Sequence, residues 1–182
     1  QVFYVNSGEG VIAAGESTLQ LRQGSSFIIT PGLDFTLEAV GDEVLGMYVV
    51  SEKIPDGAKL NETLFVTDGL GNPTFMKYHW ANIDRQIISS ADGMVAYRAL
   101  TAVKLDANTM AQPHSHGEGV EEVWIALKGD ISVLLGKELR VFPAGTAYKV
   151  PATGRTAHAN INASESPVNL IHMMKSPPRR RN

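Results

Sequence analysis

One stretch of the sequence decides the fold, His114-Ser-His-Gly-Glu-Gly-Val-Glu-Glu-Val-Trp-Ile-Ala-Leu-Lys-Gly129. Pro113 precedes it and favours an extended or turn entry over a helix. Side chains alternate between two faces on an extended strand, so His114 and His116 point to the same side. The turn glycines that follow allow Glu122 to return toward the two imidazoles. Imidazole nitrogens and a carboxylate are the ligands that a divalent first-row metal ion prefers.

A second histidine segment follows downstream, where Gly145 leads to Pro151, Gly154, His158 and Asn162. Together with the spacing of the first stretch, this two-part pattern resembles the two signature motifs of the cupin superfamily. In that family three histidines and one glutamate hold a metal ion inside a small antiparallel jelly-roll barrel. The resemblance implies four metal ligands in this chain: His114, His116, Glu122 and His158.

The chain departs from the family pattern at three places. Asn108 stands where a glycine usually opens the first motif, and asparagine tolerates similar backbone angles. The Pro-Gly pair of the second motif carries one inserted residue. The gap between the histidines and the glutamate is one residue longer than is common, which makes Glu121 an alternative ligand. Only one of the two neighbouring carboxylates can face the barrel interior, and the six residues to Gly129 favour Glu122.

The start of the chain repeats the pattern of the metal-binding segment. Glycines recur at the same intervals in both segments, so the same turns are expected at the same places. The glycines that match are Gly8, Gly15 and Gly24 with Gly129, Gly136 and Gly145. The stretches that match are 1–8 with 122–129, 27–31 with 147–151 and 45–50 with 168–173. Gln1 then stands at the position of Glu122 and Phe35 at that of His158, so we expect a first barrel that has lost its metal.

We therefore predict an all-β chain of two double-stranded β-helix (jelly-roll) barrels, a two-cupin protein. Short strand patterns separated by Gly, Pro and Asp turns support the all-β class. No amphipathic helix of about twelve residues or more is predicted. The expected organisation is a first, incomplete barrel at 1–51, a linker at 52–91, a metal-binding barrel at 92–175 and a flexible tail at 176–182. A processed or truncated start, or strands from a partner chain, would explain the incomplete first barrel.

The connecting segment is harder to interpret. One short strand is predicted at 63–67, and the stretch 82–89 stays ambiguous. His79-Trp80 is interpreted as packing between domains. In the second barrel the long apolar run 94–105 is predicted as the entering strand, followed by a strand at 109–116.

Composition bounds the function. The chain has 182 residues, a formal net charge of −3 and a pI of about 5.9, so nucleic acid is not expected as a partner. No stretch approaches the roughly 18 apolar residues of a membrane helix, so we expect a soluble protein of the cytoplasm or periplasm with no membrane partner. The absence of cysteine excludes thiolate ligands and a cysteine nucleophile. The basic run Arg179–Arg181 is interpreted as a solvated tail.

The resemblance implies a metal-dependent enzyme that acts on a small oxygenated metabolite such as a sugar, an organic acid or a phenolic. Isomerase, dioxygenase, decarboxylase and lyase chemistry all remain open. One divalent transition metal ion is expected, and Mn, Fe, Ni, Co, Cu and Zn all suit mixed N/O ligation. Glu122 is the candidate catalytic residue. Predicted substrate-binding residues are Trp124, Tyr148, Arg155, His172 and Tyr97.

An alternative is a non-catalytic module that binds a small molecule or sugar and contains a structural metal ion. The resemblance also implies a homodimer, since cupins commonly pair through strand exchange or sheet packing, and the exposed edges of an antiparallel barrel give a physical reason for it.

Overall fold

The computed structural model describes residues 1–76 and 79–177, and the predicted tail lies outside the described residues from Pro178 onward. The described chain consists of β-strands in several antiparallel sheets, joined by turns and two short 3-10 segments. The all-β prediction is confirmed. Among these residues no helix is long and apolar enough to cross a membrane.

The chain divides into two compact units, and the first comprises Gln1–Asn72 together with Ile87–Ala99. Its strands are β1 (Val2–Ser7), β2 (Glu9–Ala14), β3 (Ser17–Leu21), β4 (Ser25–Ile28), β5 (Thr36–Val40), β6 (Gly46–Val50) and β7 (Phe65–Asp68). They form one sheet in the order β6-β1-β4-β7 and another in the order β3-β2-β5. Part of the predicted linker therefore belongs to a sheet, since β7 pairs with β4.

The interior of the first unit is apolar. Phe3 and Phe27 stack at its centre, with ring centroids 4.5 Å apart and planes 7° apart. Buried aliphatic side chains surround the two rings, namely Val5, Ile12, Leu21 and Ile29. Removal of this apolar surface from water is the main source of the unit's stability.

Glu52 fixes the loop that leads out of the first unit. Its carboxylate accepts hydrogen bonds from the backbone N–H groups of Val95, Ala96 and Tyr97, at 3.2, 2.9 and 2.8 Å. These donors are therefore not available for a β-ladder. The predicted entering strand 94–105 accordingly begins only at Ala99.

Replacing Glu52 with alanine is expected to lower the free energy of unfolding by about 2 kcal/mol, because three half-buried N–H groups lose a charged acceptor. Glu52→Gln retains a neutral acceptor and should lose less. Urea denaturation followed by circular dichroism measures both changes, with Glu16→Ala on an exposed turn as the control. A loss for Glu52→Ala no larger than that of the control would contradict this role.

The second unit comprises Pro73–Gln86 and the chain from Leu100 onward. Its strands are β8 (Asn82–Ser89, of which the last three residues belong to the first unit), β9 (Ala99–Leu105), β10 (Thr109–Met110), β11 (Glu121–Lys128), β12 (Ile131–Leu135), β13 (Glu138–Phe142), β14 (Ala147–Val150), β15 (His158–Asn162) and β16 (Val168–Lys175). They form sheets in the orders β14-β11-β16-β9-β8 and β10-β15-β12-β13. The ambiguous stretch 82–89 is thus an edge strand. The predicted strand 109–116 is shorter than expected, because Pro113 cannot donate to a ladder.

The two units share one pattern of strand pairing. β1 pairs with β4 and β6, as β11 pairs with β14 and β16. β2 pairs with β3 and β5, as β12 pairs with β13 and β15. The sequence repeat therefore corresponds to one repeated strand arrangement. The second unit adds β9 beside β16 and β10 beside β15.

The registers define equivalent positions in the two units. Phe3 lies opposite Phe27 on one side and Val49 on the other. Trp124 likewise lies opposite Tyr148 and His172. Phe27 therefore corresponds to Tyr148, one position away from the predicted alignment. The predicted alignment matched Pro31 with Pro151, which lie in the turns after these strands. The turn of the first unit has one residue more, and this extra residue does not change the pairing of the strands before it.

Candidate metal centre

Three histidines meet because two separate segments of the second unit pair locally. His158 begins β15 and forms an isolated antiparallel bridge with His114. The two backbone N–H···O bonds of this bridge are 2.9 and 3.2 Å long. The ring of His114 lies 4.3 Å from that of His158 and 4.8 Å from that of His116, measured between centroids. One nitrogen from each ring lies within 4.8 Å of the others, so the three could hold a metal ion.

Glu122 brings a buried carboxylate to this cluster from β11. Only 1% of the residue is exposed. Its Oε1 lies 2.8 Å from His116 Nε2, and its Oε2 lies 3.0 Å from His158 Nε2. Glu121, the alternative ligand, is half-buried and pairs with Lys149 at 2.6 Å. Adjacent residues on the strand thus point to opposite sides.

The donor set fits a metal ion. Within the described part of the chain, Nε2 of His114, His116, His158 and His172 is buried without a well-aligned hydrogen bond, and three of these atoms lie 2.8, 3.0 and 3.1 Å from the Glu122 carboxylate. Buried nitrogens without a partner are costly unless something else binds them. Metal–nitrogen bonds of about 2.1 Å place neighbouring ligands about 3 Å apart, which matches the spacing between the carboxylate and the imidazoles. Glu122 therefore places its oxygens beside two of the three histidines that could hold an ion, and His114 completes the histidine group.

The protonation states of His114 and Glu122 also favour metal binding. Burial lowers the pKa of His114, whereas the backbone carbonyl of Gln112, 3.1 Å from Nδ1, raises it. A neutral imidazole whose Nδ1–H faces this carbonyl leaves Nε2 free as a ligand. Burial raises the pKa of Glu122, but hydrogen bonds with His158, His172 and Trp124 outweigh it and hold the pKa well below its usual range. The carboxylate is therefore ionised at neutral pH.

Two residues predicted to bind substrate contact the Glu122 carboxylate. Trp124 Nε1 donates a hydrogen bond to Glu122 Oε2 at 2.9 Å. His172 Nε2 lies 3.1 Å from Glu122 Oε1. His172 retains 16% and His116 19% of side-chain exposure, while Nε2 of each ring is buried.

Tyr148 lies deeper in the unit. Its hydroxyl donates to Asn160 Oδ1 at 2.5 Å, and its ring packs on Trp124 and Phe142. The other two predicted substrate residues lie on other parts of the chain. Arg155 lies on an exposed turn, where its backbone N–H donates to Thr153 Oγ1. Tyr97 belongs to the first unit.

His79 is a site residue that sequence reasoning missed. It was interpreted as domain packing, but its ring centroid lies 4.5 Å from that of His114 within the second unit. Burial lowers the pKa of His79 to about 4, with a smaller contribution from His114. All five histidines of the chain therefore lie in the second unit. This concentration was the available signal in the sequence.

Asp84 was missed as well. It lies on β8, is 4% exposed, and pairs through its backbone with Phe75. Burial raises the pKa of Asp84 to about 6, and nearby His172 opposes the shift. A second buried carboxyl group therefore lies close enough to His172 to interact with it electrostatically.

We expect Asp84→Asn to stabilise the protein at pH 7 by about 2 kcal/mol. The folded-state pKa lies above the unfolded value of 3.8, so folding favours the protonated form. Stability from this group is therefore present below pH 3.8 and is lost as the pH rises through about 6. Denaturation of both proteins between pH 3.5 and 7 tests this. Equal stability differences at all pH values, or a less stable variant at pH 7, would contradict it.

The first unit lacks the metal-ligand side chains at the equivalent positions. Ile12 on β2 corresponds to Val133 on β12. Ile12 lies opposite Leu37 and Val133 lies opposite Asn160, so Leu37 corresponds to Asn160. Two residues earlier, Phe35 therefore corresponds to His158. The pairing of β1 and β11 aligns Gln1 with Glu122 in the same way. An amide and a phenyl ring stand where the second unit has a carboxylate and an imidazole.

No known protein-family model matches the chain, and no curated protein matches its sequence. Several solved structures do share its fold. A variant of oxalate decarboxylase from Bacillus subtilis aligns with a TM-score of 0.71 at 11% identity, over 96% of this chain and 63% of that one. Another study of the same enzyme concerns its Mn(II) centres.

Two further structures are similar. A Pseudomonas aeruginosa protein described as glyoxylate-induced aligns with a TM-score of 0.68 at 16% identity, over 100% of this chain and 66% of that one. AerE from Microcystis aeruginosa aligns with a TM-score of 0.65 at 13% identity, over 97% of this chain and 77% of that one. The chain thus spans about two thirds to three quarters of their lengths. At these identities the likeness shows the fold alone.

Proposed function

We propose that this chain is a metal-dependent enzyme of the cupin type that acts on a small oxygenated metabolite: a sugar, an organic acid or a phenolic. His114, His116, Glu122 and His158 hold one divalent transition metal ion in the second unit. Mn, Fe, Ni, Co, Cu and Zn are all compatible with this donor set. The observation that carries the proposal is the group of three histidine nitrogens that lie within 4.8 Å of one another beside the buried Glu122 carboxylate.

A bound divalent ion would polarise an oxygen of the substrate or lower the pKa of a water molecule. The surrounding residues supply the rest of the site. Glu122 contributes a negative charge that offsets the charge of the ion. It is also the proposed catalytic residue, although a carboxylate with a lowered pKa is a weak base.

The substrate would approach on the side of His116 and His172, whose side chains are partly exposed. Trp124, Tyr148 and His172 would limit the size of the ligand. Arg155 would pair with a carboxylate of the substrate at the mouth, as an arginine often does. Tyr97 remains the fifth proposed substrate residue.

The chain as a whole is proposed to be a two-cupin protein in which the barrel of the first unit has lost its metal site. The shared pairing of β1–β6 and β11–β16 supports this. We also propose that the two barrels are built around 1–51 and 92–175, that the connecting segment 52–91 adds β7 and β8 to their sheets, and that the protein is a homodimer with no nucleic-acid partner.

Turnover assays test the enzymatic proposal. Metal-loaded wild type and His158→Ala are each incubated with panels of sugars, hydroxy and dicarboxylic acids, and phenolics. The proposal expects turnover of at least one class by the wild type and none by the variant. Metal binding by the wild type without any turnover would favour the non-catalytic small-molecule or sugar-binding module with a structural metal ion.

A further inference from the structure

Two side chains outside the metal motifs touch Glu122, one at each carboxylate oxygen. Trp124 Nε1 donates to Oε2 at 2.9 Å, and His172 Nε2 lies 3.1 Å from Oε1. His158 faces the same Oε2, and His116 faces the same Oε1. Each oxygen is thus held between one histidine of the metal motif and one group that the motif does not include.

These two groups are fixed by their neighbours. Trp124 lies directly opposite His172 across β11 and β16, and their ring centroids are 4.2 Å apart. On its other side Trp124 lies opposite Tyr148, with ring planes only 7° apart. The aromatic rings of Tyr148, Trp124 and His172 therefore lie side by side in a row across β14, β11 and β16. Packing between directly opposed side chains restricts the movement of each.

The first unit contains the same row without its polar groups. Phe27, Phe3 and Val49 occupy the positions of Tyr148, Trp124 and His172. Phe3 and Phe27 still stack, so a phenyl ring is sufficient for packing at this place in the fold. The unit that lacks the glutamate and the histidine ligands also lacks both N–H groups. The Trp124 N–H group is therefore not needed for packing, and Val49 at the position of His172 is 48% exposed, so this end of the row is not part of the packed core in the first unit.

We propose that Trp124 and His172 are positioning residues that hold the Glu122 carboxylate in the orientation in which it binds the metal ion. This inference rests on the proposed metal site. The terminal torsion of a glutamate side chain is soft, so a carboxylate held at one oxygen can still rotate. Contacts at both oxygens prevent this rotation. Residues that orient metal ligands typically contribute 10–100-fold to metal affinity.

The first unit supplies the test variants. Trp124→Phe and His172→Val introduce the residues that this fold already contains at the equivalent positions, Phe3 and Val49. Titration of metal-free protein with Mn, Co or Zn should show about 10–100-fold weaker binding for each variant, at an unchanged stoichiometry. His172→Gln keeps an N–H group at the end of the side chain and should restore affinity to within about threefold of the wild type.

Phe142→Leu is the matched control. Phe142 packs on Tyr148, 5.1 Å between centroids, in the same core cluster, and no polar contact joins it to the carboxylate. Its metal affinity should equal that of the wild type. A loss in the control as large as in Trp124→Phe would overturn the inference, because core packing alone would then explain the effect.

X-ray absorption spectroscopy of the bound metal separates positioning from ligation. The inference expects three imidazole ligands in the wild type and three in His172→Val. Four imidazoles in the wild type and three in the variant would overturn it, because His172 would be a ligand. Unchanged affinity in both Trp124→Phe and His172→Val would overturn it as well, while metal loss in His158→Ala would leave the proposed function standing. A wild-type protein that binds no metal would overturn both.

Discussion

Replacing His158 with alanine is expected to reduce bound metal from about one ion per chain to less than about a tenth of an ion. His158 is 1% exposed and supplies a buried Nε2 that faces the Glu122 carboxylate at 3.0 Å. Its removal takes away one of the four donors and leaves a gap beside the carboxylate, so the two remaining imidazoles and Glu122 should hold the ion too weakly to survive dialysis. Equilibrium dialysis with elemental analysis measures the occupancy.

A control variant and a second ligand variant show whether the loss of metal comes from the missing ligand or from misfolding. Phe35→Ala changes the position in the first unit that corresponds to His158, and it should leave metal occupancy unchanged. His116→Ala removes a more exposed ligand, 19% accessible, and should lose metal with less disturbance of the core. Full occupancy in both His158→Ala and His116→Ala would show that the ligand assignment is wrong.

Glu122→Gln is expected to weaken divalent metal binding by about 100-fold or more. The amide keeps the size of the side chain but removes the buried negative charge beside three imidazoles, and loss of one buried charge from a pair costs about 3–5 kcal/mol. The first unit already has this substitution, since Gln1 stands at the same position. Competition with a chelator of known affinity gives the change in dissociation constant.

The neighbouring glutamate is the natural control. Glu121 pairs with Lys149 at 2.6 Å, on the other side of β11. Glu121→Gln should therefore bind metal as tightly as the wild type. If Glu121→Gln loses the metal and Glu122→Gln retains it, the two carboxylates have been assigned the wrong way round.

Much of the fold could be predicted from the sequence, because turn residues and the alternation of side chains along a strand are short-range features. Glycines at equal intervals predicted equivalent turns, and both units indeed pair their strands in the same pattern. Alternation along one strand placed Glu122 and Trp124 on one face, and both are buried. The predicted alignment was wrong by one position at Phe27, which corresponds to Tyr148. The error arose because prolines in the following turns were matched in place of strand residues.

Features set by long-range pairing could not be predicted in this way. β8 joins the sheet through β9, and nothing in its own sequence specifies that neighbour. Asp84 on this strand and His79 just before it are consequently site residues without a motif. The contact of His172 with Glu122 depends on the register of β16 against β11, which short-range patterns do not fix.

Elemental analysis of the wild-type chain, purified without added metal or chelator, tests the central claim most directly. The account predicts about one equivalent of a divalent transition metal per chain, held in the second unit. Two equivalents would show that the first unit also binds metal. No bound metal, even after reconstitution with Mn, Fe, Ni and Zn, would contradict the metal centre and the function proposed from it.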